Sequence, residues 1–515
     1  MSNFFSSVQH TRPRTSTFNP THKWKLTTKA GLLKPFLYED AVPGSRFKLK
    51  SAAVIRVAPM IAPLMHDVNF YMHYWFIPYR LLWPNWPRFI KGHSDTPTNT
   101  PEPAFPTVDI GGVEPGTMAD AFGVGRVDND NKVLSAFPFS AYEFVWKECY
   151  RDQNLQNDDW LPLMDGDNTD NFNHLFLRER AWEHDYFTSV LPFAQKGDPI
   201  RMPLGTVAPV QFKPGGLLTN VVDANGNDVG GLEQNIIKNP AGAVEIDTSP
   251  RTAVNIDNSA VLEVDLSSAT AATINDLRLA WVIQAWQERN ARSGSRYTEF
   301  ITAHFGLPPQ DMRLDRPEFL GGGSAPISFS EVLQTSSTDA TTPQANLAGH
   351  GVGVGQSKYI DYTAREHGCI IGLISIRPKT GYFQGTRKIF RKFDRFDYLT
   401  PSFAEIGEQP VYNYEIYDDP SDGQNNEVFG YMPIYTEYRH RNDVITGEFR
   451  TTQDFWTWAR KFANRPLLND QFIKCVPDDR IFAVQDGSDQ FYVTVSNHMK
   501  VRHPLPYYGN PKSLI

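Results

Sequence analysis

The chain has 515 residues and a net charge of −8, and 40% of its residues are hydrophobic and 13% aromatic. This composition is typical of a globular protein and excludes an intrinsically disordered one. No apolar run is long enough to span a bilayer, and the first residues lack the apolar core of a secretory signal.

The amino-terminal segment is strongly basic. Residues 1–56 carry ten Lys and Arg against Glu39 and Asp40, a net charge of +8, so the remainder carries −16. After Asp489 there is no acidic residue, although Lys and Arg continue to appear. We expect both basic ends to face an anionic partner, and a solvated arm without a partner is the alternative.

Period-two patterns predict strands along the chain. In residues 46–57 apolar side chains alternate with Lys and Arg, which predicts a half-exposed strand. Residues 68–78 are apolar at both odd and even positions, so both faces of that strand must be covered. The segments "CIIGLISIRP" and "FYVTVSNHMKV" resemble it. Together they predict one large β-sandwich with elaborate loops.

An aromatic stretch, "HYWFIPYRLLWPNWPRF" (73–89), follows from the second of these strands. Its candidate anchors are Trp75, Trp83 and Trp86. Large aromatic side chains stabilise subunit interfaces as well as cores, so packing within the subunit and packing between subunits both stay open.

Helix signals are fewer. A capping box from Ser140 to Glu143 predicts a helix start, and residues 275–306 read as two helices broken near Gly294. Apolar spacing in "TTQDFWTWARKF" (451–462) predicts a further helix. The glycine-rich "GHGVGVG" (349–355) fits no phosphate-binding motif and predicts a flexible loop.

Residues 202–274 differ from the rest of the chain. They hold a single aromatic residue, Phe212, and eight Asp and Glu against three Lys and Arg. A core needs large side chains, so this segment is predicted to project into solvent as an insertion, with "VLEVDLSS" as a short strand. A mobile surface loop without a role is the alternative.

Motifs for catalysis or metal binding are weak. "DANGND" (223–228) lacks the glycine and the final glutamate of a calcium loop and is better explained as an Asn-Gly turn. His66 and His73 are seven residues apart, which in a strand places them on opposite faces. The cysteines Cys149, Cys369 and Cys475 form no C-x-x-C pair. We therefore predict no cofactor, no metal and no enzymatic activity. The two catalytic carboxylates of a glycosidase, however, could not be recognised from sequence spacing alone.

The segment "RKIFRKFDRFDYL" (387–399) interleaves cations with aromatic residues. Cations follow a phosphate backbone and aromatic faces accept unstacked bases, a pattern expected for single-stranded nucleic acid. An ordinary sheet segment, with buried aromatics and cations paired to the acidic body, would carry the same pattern.

Several long blocks resemble the major capsid protein of the Microviridae, in the gokushovirus branch. They are "LKPFLYEDAVPGSRF" (33–47), "FIPYRLLWPNW" (76–86), "DLRLAWVIQAW", "ARSGSRYTEFITAHFG" and "DMRLDRPEFLGG" within 276–322, "RFDYLTPSFAEIGEQPVYNYEIY" (395–417) and "VFGYMPIYTEYR" with "TGEFR" within 428–450. The resemblance is collinear over most of the chain. It implies an all-β fold, the viral eight-stranded antiparallel jelly roll with long, partly helical loop insertions.

The resemblance also implies a function. The protein would self-assemble into a T=1 icosahedral shell around circular single-stranded DNA, in the virion, after assembly in the cytoplasm of a bacterial host. Its partners would be other copies of itself, the viral scaffolding, DNA-binding and pilot proteins, and a receptor on the host surface. The insertion would project at the three-fold axes. Candidate DNA-facing residues are Arg12, Arg14, Lys23, Lys25, Arg387, Lys388, Arg391 and Lys392.

Four segments follow from this interpretation. Residues 1–60 form the basic arm and first strand, 61–201 a jelly-roll part with helical loops, 202–274 the acidic insertion, and 275–515 the remaining jelly roll with a basic tail. The alternative from a different class is an aromatic-rich β-sandwich that binds or cleaves polysaccharide.

Overall fold

The computed structural model describes residues 13–91, 102–125, 132–171, 176–198, 274–293, 302–304, 315–333, 335, 347–421 and 423–508, and the backbone of six short strands within 210–264. In chain order the strands are β1 (Ser16–Phe18), β2 (His22–Thr28), β3 (Lys34–Ala41), β4 (Arg46–Val57), β5 (Val68–Pro78), β6 (Thr107–Ile110), β7 (Lys132–Ser135), β8 (Val210–Phe212), β9 (Val221–Asp223), β10 (Ile236–Lys238), β11 (Val244–Ile246), β12 (Thr252–Ile256), β13 (Leu262–Val264), β14 (Glu318–Leu333), β15 (Leu347–Gln356), β16 (Ile360–Thr363), β17 (Gly368–Pro378), β18 (Gly381–Tyr382), β19 (Glu408–Tyr412), β20 (Val428–Pro433), β21 (Asp443–Val444) and β22 (Phe491–His503).

Among the described residues, the helices are short except for one. They are α1 (Tyr79–Leu82), α2 (Trp86–Lys91), α3 (Met118–Ala121), α4 (Phe137–Val145), α5 (Ile274–Ser293), α6 (Asn413–Ile416), α7 (Thr436–Arg439) and α8 (Asp470–Ile473). A π-helical turn, Trp146–Tyr150, extends α4. Single 3₁₀ turns occur at Lys388–Arg391, Arg395–Asp397, Pro401–Phe403, Gly447–Arg450 and Asp454–Trp456.

The main sheet is antiparallel and curls on itself. Its strand order is β1-β22-β4-β15-β14-β5-β17-β3, with β2 beside β22 and β16 beside β4. The long strand β14 joins the two halves, because its first part pairs with β5 and its last part, from Ile327, pairs with β15. The predicted all-β jelly roll, with helices confined to the connections, is confirmed.

Alternating polarity in β4 places one hydrophobic core between the two halves of the sheet. Phe47, Leu49, Ala53 and Ile55 are buried, whereas the Lys and Arg residues of the strand, all at even-numbered positions, are exposed. The buried side chains pack with Phe70 and others from the opposite half. The half-exposed strand predicted from the sequence is thus confirmed, and burial of each large apolar side chain stabilises the fold by about 1.5–3 kcal/mol.

The other half of the sheet is covered on both faces, as the pattern in residues 68–78 predicts. Phe70, Met72 and Tyr74 of β5 point into the first core. A second core lies on the other side and is formed by Ile77, by β17 and by the helical loops around α1 and α4. This explains why β17 is buried along its whole length.

The prediction of a flexible loop at "GHGVGVG" was wrong, because these residues form the centre of β15, between β14 and β4. The odd-numbered glycines face the core, and the residues between them face outward. A Cβ added to Gly355 would lie 2.6 Å from the ring of Phe70, and one added to Gly351 would lie 2.6 Å from Val57. Neighbouring apolar side chains occupy the space that a side chain at these glycine positions would need.

Two helix predictions also need correction. The helix predicted to begin at Ser140 begins at Phe137, and Ser140 lies inside it, with its hydroxyl accepting a hydrogen bond from Trp160. Residues 457–462 are not helical after the short 3₁₀ turn. There the guanidinium of Arg480 donates to the carbonyl oxygens of Thr457 and Ala459, so these carbonyls have partners outside any helix.

The chain divides into two compact units. One contains residues 195–292 and the other contains 1–194 and 293–515. Within the smaller unit, β8 pairs with β13, and β10, β11, β12 and β9 form a four-stranded sheet. Helix α5 belongs to this unit, where Gln284 donates a hydrogen bond to Gln195. The helix ends at Ser293, just before Gly294, and of the second predicted helix the structure describes only the helical residues 302–304.

Candidate nucleic-acid interface

The outward face of the sheet half formed by β2, β22 and β4 is densely basic; we call it the basic face. The period of two along each strand and the register between strands place these cations on one surface. They are Lys23, Lys25, Arg46, Lys48, Lys50, Arg56, Lys500 and Arg502, all exposed. Cations from both basic ends of the sequence therefore meet on one surface.

Like charges lie directly opposite each other on this face. Arg46 pairs in register with Arg502, and Lys48 with Lys500. Such cross-strand pairs are destabilising, so the fold retains an unfavourable interaction that an anionic ligand would relieve.

One carboxylate offsets part of this charge. Among the described residues, the ion pairs of the basic face all use Asp361 of β16, which lies 2.6 Å from Arg46 and 4.0 Å from Lys48. The hydrogen bond from Arg46 lowers the pKa of Asp361, which therefore stays ionised. The eight cations exceed this one anion, and the face keeps a large positive charge.

Apolar and aromatic side chains lie among the cations. Val54 and Val354 face each other across β4 and β15, and both are exposed. Tyr492 lies opposite Arg56 and Thr27 in the neighbouring strands and is 49% exposed. An exposed ring beside cations can stack on a base while the cations bind phosphates.

The residues predicted from the sequence lie in different surroundings. Lys23 and Lys25 are on the basic face, Arg14 is exposed just before β1, and Arg12 lies outside the described residues. The site prediction omitted the other six cations of the basic face, Arg46, Lys48, Lys50, Arg56, Lys500 and Arg502. The alternating pattern of β4 and the basic composition of the carboxyl-terminal end were signals that could have found them.

The cations of residues 387–392 are largely engaged within the subunit. Lys392 is buried, and its ammonium lies 2.9 Å from the carboxylate of Glu437. Arg391 lies 3.2 Å from Asp418 and over the ring of Tyr414. Lys388 is half-buried, and Arg387 is exposed with its guanidinium 5.0 Å from the ring of Phe390.

The tryptophan anchors pack inside the subunit. Trp83 is fully buried and donates a hydrogen bond of 2.8 Å to Asp165. Trp86 is half-buried, with its ring 4.9 Å from that of Tyr79. Trp75 lies 4.8 Å from Phe319 and donates a hydrogen bond to Tyr150.

The histidines and carboxylates of the described part of the chain do not gather into a metal site. This part contains no cluster of three or more His, Cys, Asp or Glu that could hold a metal ion. Burial lowers the pKa of His73 to about 3, so this imidazole is neutral. None of the described helices is both long and apolar enough to cross a membrane.

Comparisons with known proteins agree on one family. The family model described as capsid protein (F protein) matches residues 6–513. The chain is 34% identical to the capsid protein VP1 of Bdellovibrio phage phiMH2K, over 98% of this chain and 97% of that protein. It is 33% identical to the capsid protein VP1 of Chlamydia phage 1 (99% and 98% covered) and 32% identical to that of Spiroplasma virus 4 (97% and 95% covered).

Proposed function

The chain belongs to the capsid protein (F protein) family of the Microviridae, and from this membership we propose that it builds a T=1 icosahedral shell around circular single-stranded DNA. As in its relatives, its role is structural and lies in the virion. The proposed partners are further copies of the chain, the scaffolding, DNA-binding and pilot proteins of the phage, and a receptor on the host surface. Assembly would take place in the host cytoplasm.

The basic face is the observation that supports the DNA part of this proposal. A surface with eight cations and one paired carboxylate binds a polyanion by releasing condensed counterions, and does so without sequence preference. A shell protein needs this property, because it must accept every sequence in its genome. Lys23 and Lys25 remain proposed DNA contacts, and Lys48, Lys50 and Lys500 join them. Arg12 and Arg14 are proposed to extend this surface.

A charge-neutralising variant tests the DNA contact. We expect Lys23→Gln, Lys25→Gln, Lys50→Gln and Lys500→Gln together to reduce the DNA content of shells that still form. Each lost phosphate contact lowers the dependence of log affinity on log salt by about 0.7. The variant subunit should therefore bind a single-stranded oligonucleotide with a slope lower by up to about 3.

The control removes cations from another surface. Lys379→Gln and Lys461→Gln remove two side chains that are 48% exposed and paired with Asp443 and Asp454. This variant should bind DNA with the wild-type slope. An unchanged DNA content and slope in the four-site variant would refute the assignment of the basic face.

The acidic segment 202–274 is proposed as the surface projection used in host attachment. Its composition, acidic and almost free of aromatic residues, supports a location outside the shared core. Replacing residues 203–272 with a short Gly/Ser linker should leave shells that hold DNA but adsorb poorly to the host, because shortening a loop changes its closure entropy only slightly. Particle yield and adsorption rate are measured together. Loss of particles would assign the segment to assembly, and normal adsorption would place the receptor site elsewhere.

A further inference from the structure

Residues 389–399 expose six aromatic and aliphatic side chains, together called the aromatic patch here. Its members are Ile389, Phe390, Phe393, Phe396, Tyr398 and Leu399, and each is about half exposed or more. Phe393 is the extreme, with 87% of its surface open. Exposed apolar groups of this size in one segment are typical of a binding surface.

The backbone beneath the patch is held rigidly. Asp394 and Asp397 form a reciprocal capping box around the 3₁₀ turn that carries Phe396. Behind it, Lys392 makes a buried ion pair with Glu437 and lies over the ring of Tyr438. Although burial alone would raise the pKa of Glu437, hydrogen bonds from Gln409 and Lys392 keep this pKa below its ordinary value, so the pair stays charged. The patch is therefore pre-organised, which reduces the entropy lost on binding.

The charge of the patch does not favour a polyanion. The five cations of residues 387–395 are accompanied by Asp394, Asp397 and the ion-pair partners Asp418 and Glu437, which leaves a net charge of +1. Arg387 and Arg395 lie against the rings of Phe390 and Phe396. A partner for this surface must offer apolar groups rather than phosphates.

The size of the patch fits a protein partner. With about 200 Å² for a whole aromatic side chain, its four aromatic residues expose about 500 Å². This is near the upper end of the patches found on monomeric proteins, about 300–600 Å². It is also more than half of one side of a standard protein interface, about 800 Å².

A cavity of about 640 Å³ opens beside the patch and shares Ile389 and Phe390 with it. The wall of the cavity also includes Tyr186, Phe187 and Arg450. A pocket next to exposed aromatic residues can receive a side chain from a partner, the arrangement in which binding energy concentrates at interfaces.

We propose that the aromatic patch is a subunit–subunit contact and that a second copy of this chain covers it in the shell. This inference rests on the proposed function, in which many copies of the chain pack against one another. It departs from the sequence-based interpretation of the same segment as a DNA site. The apolar area, the near-neutral charge and the adjacent pocket all favour a protein surface.

The test is the variant Phe393→Ser, expressed where the wild-type chain forms shells. Phe393 is the most exposed residue of the patch, so the subunit should keep the wild-type circular dichroism and thermal midpoint. Particle yield on a density gradient should fall at least about tenfold, as for an interface hot spot. Oligonucleotide binding by the unassembled subunit should not change. The control is Tyr359→Ser, which removes a 59% exposed ring from a different loop and should assemble normally.

A second measurement addresses the identity of the partner directly. A benzophenone amino acid in place of Phe393 should crosslink, in shells, to a second copy of the chain and give a band of twice the subunit mass. Crosslinking to DNA or to another phage protein, or wild-type shell yield from Phe393→Ser, would overturn the inference but leave the proposed function intact. Equal loss of shells in Phe393→Ser and Tyr359→Ser would also overturn it. Failure of the wild-type chain to form shells would reject both.

Discussion

The close packing around the glycines of β15 leads to a specific prediction about stability. In Gly355→Ala the new methyl group would lie 2.6 Å from the Cβ of Ala325 and 2.6 Å from the ring of Phe70, well inside van der Waals contact. Forcing one carbon into a packed core costs about 1–3 kcal/mol. Loss of backbone freedom in the unfolded chain returns about 0.4–1 kcal/mol. We expect the free energy of unfolding to fall by about 1–2 kcal/mol.

A matched control separates packing from backbone effects. Gly111→Ala places its methyl group where nothing lies within 4 Å, so it should leave stability unchanged or raise it slightly. Phe70→Leu should relieve the contact with the ring but not that with the Cβ of Ala325, so the double variant should be more stable than the sum of the single changes by at least about 0.5 kcal/mol. Urea unfolding of the unassembled subunit, followed by tryptophan fluorescence, measures all four variants. A Gly355→Ala subunit as stable as wild type, or strict additivity with Phe70→Leu, would refute the reasoning.

Two further predictions concern buried ionisable groups. Burial raises the pKa of Glu143 from 4.5 to about 7 against the opposing effect of Arg178, so its stabilising contribution is complete below pH 4.5 and is lost as the pH rises through about 7. Urea unfolding at pH 5 and pH 8 should therefore show a smaller loss of stability in Glu143→Gln than in wild type, by about 2–3 kcal/mol, and an identical loss would contradict this. Burial likewise raises the pKa of the Cys475 thiol to about 12 and raises that of Cys369. Because a thiol reacts as the thiolate, at most one of the three thiols should react with Ellman's reagent before urea is added. Two rapidly reacting thiols in the folded subunit would disprove this.

Much of the fold follows from local pattern. The alternation in β4 and the two apolar faces of β5 predict their burial, because successive side chains of a strand point to opposite faces. Strand β15 was not predicted, because its core-facing residues are glycines. Glycine has no side chain, so the sequence shows no hydrophobic pattern at the positions where packing is tightest. Its alternating Gly and Val still carried a period of two.

The candidate site depends on contacts that sequence spacing does not reveal. Lys392 is one of several cations in its segment, and its partner Glu437 lies 45 residues away. Because this ion pair is buried, Lys392 is not available to a ligand, whereas other cations of the same segment are exposed. The basic face arises in the same way, because pairing of β22 with β2 and β4 unites the two ends of the chain. The composition predicted that both ends of the chain are basic. Only the register between the strands shows that their cations lie on one surface.

The position of β22 between β2 and β4 has a consequence for synthesis. The ribosome makes β22 more than 430 residues after β4, roughly 20 to 90 seconds later at 5–20 residues per second. Until then β4 lacks a neighbour on that side and the first core lacks the apolar side chains of β22. An unpaired strand edge and exposed apolar groups favour aggregation. A prematurely terminated chain never completes this sheet. A polypeptide truncated before β22 lacks Lys500, Arg502 and the pairing that joins β2 to β4 through β22, so it cannot form the basic face.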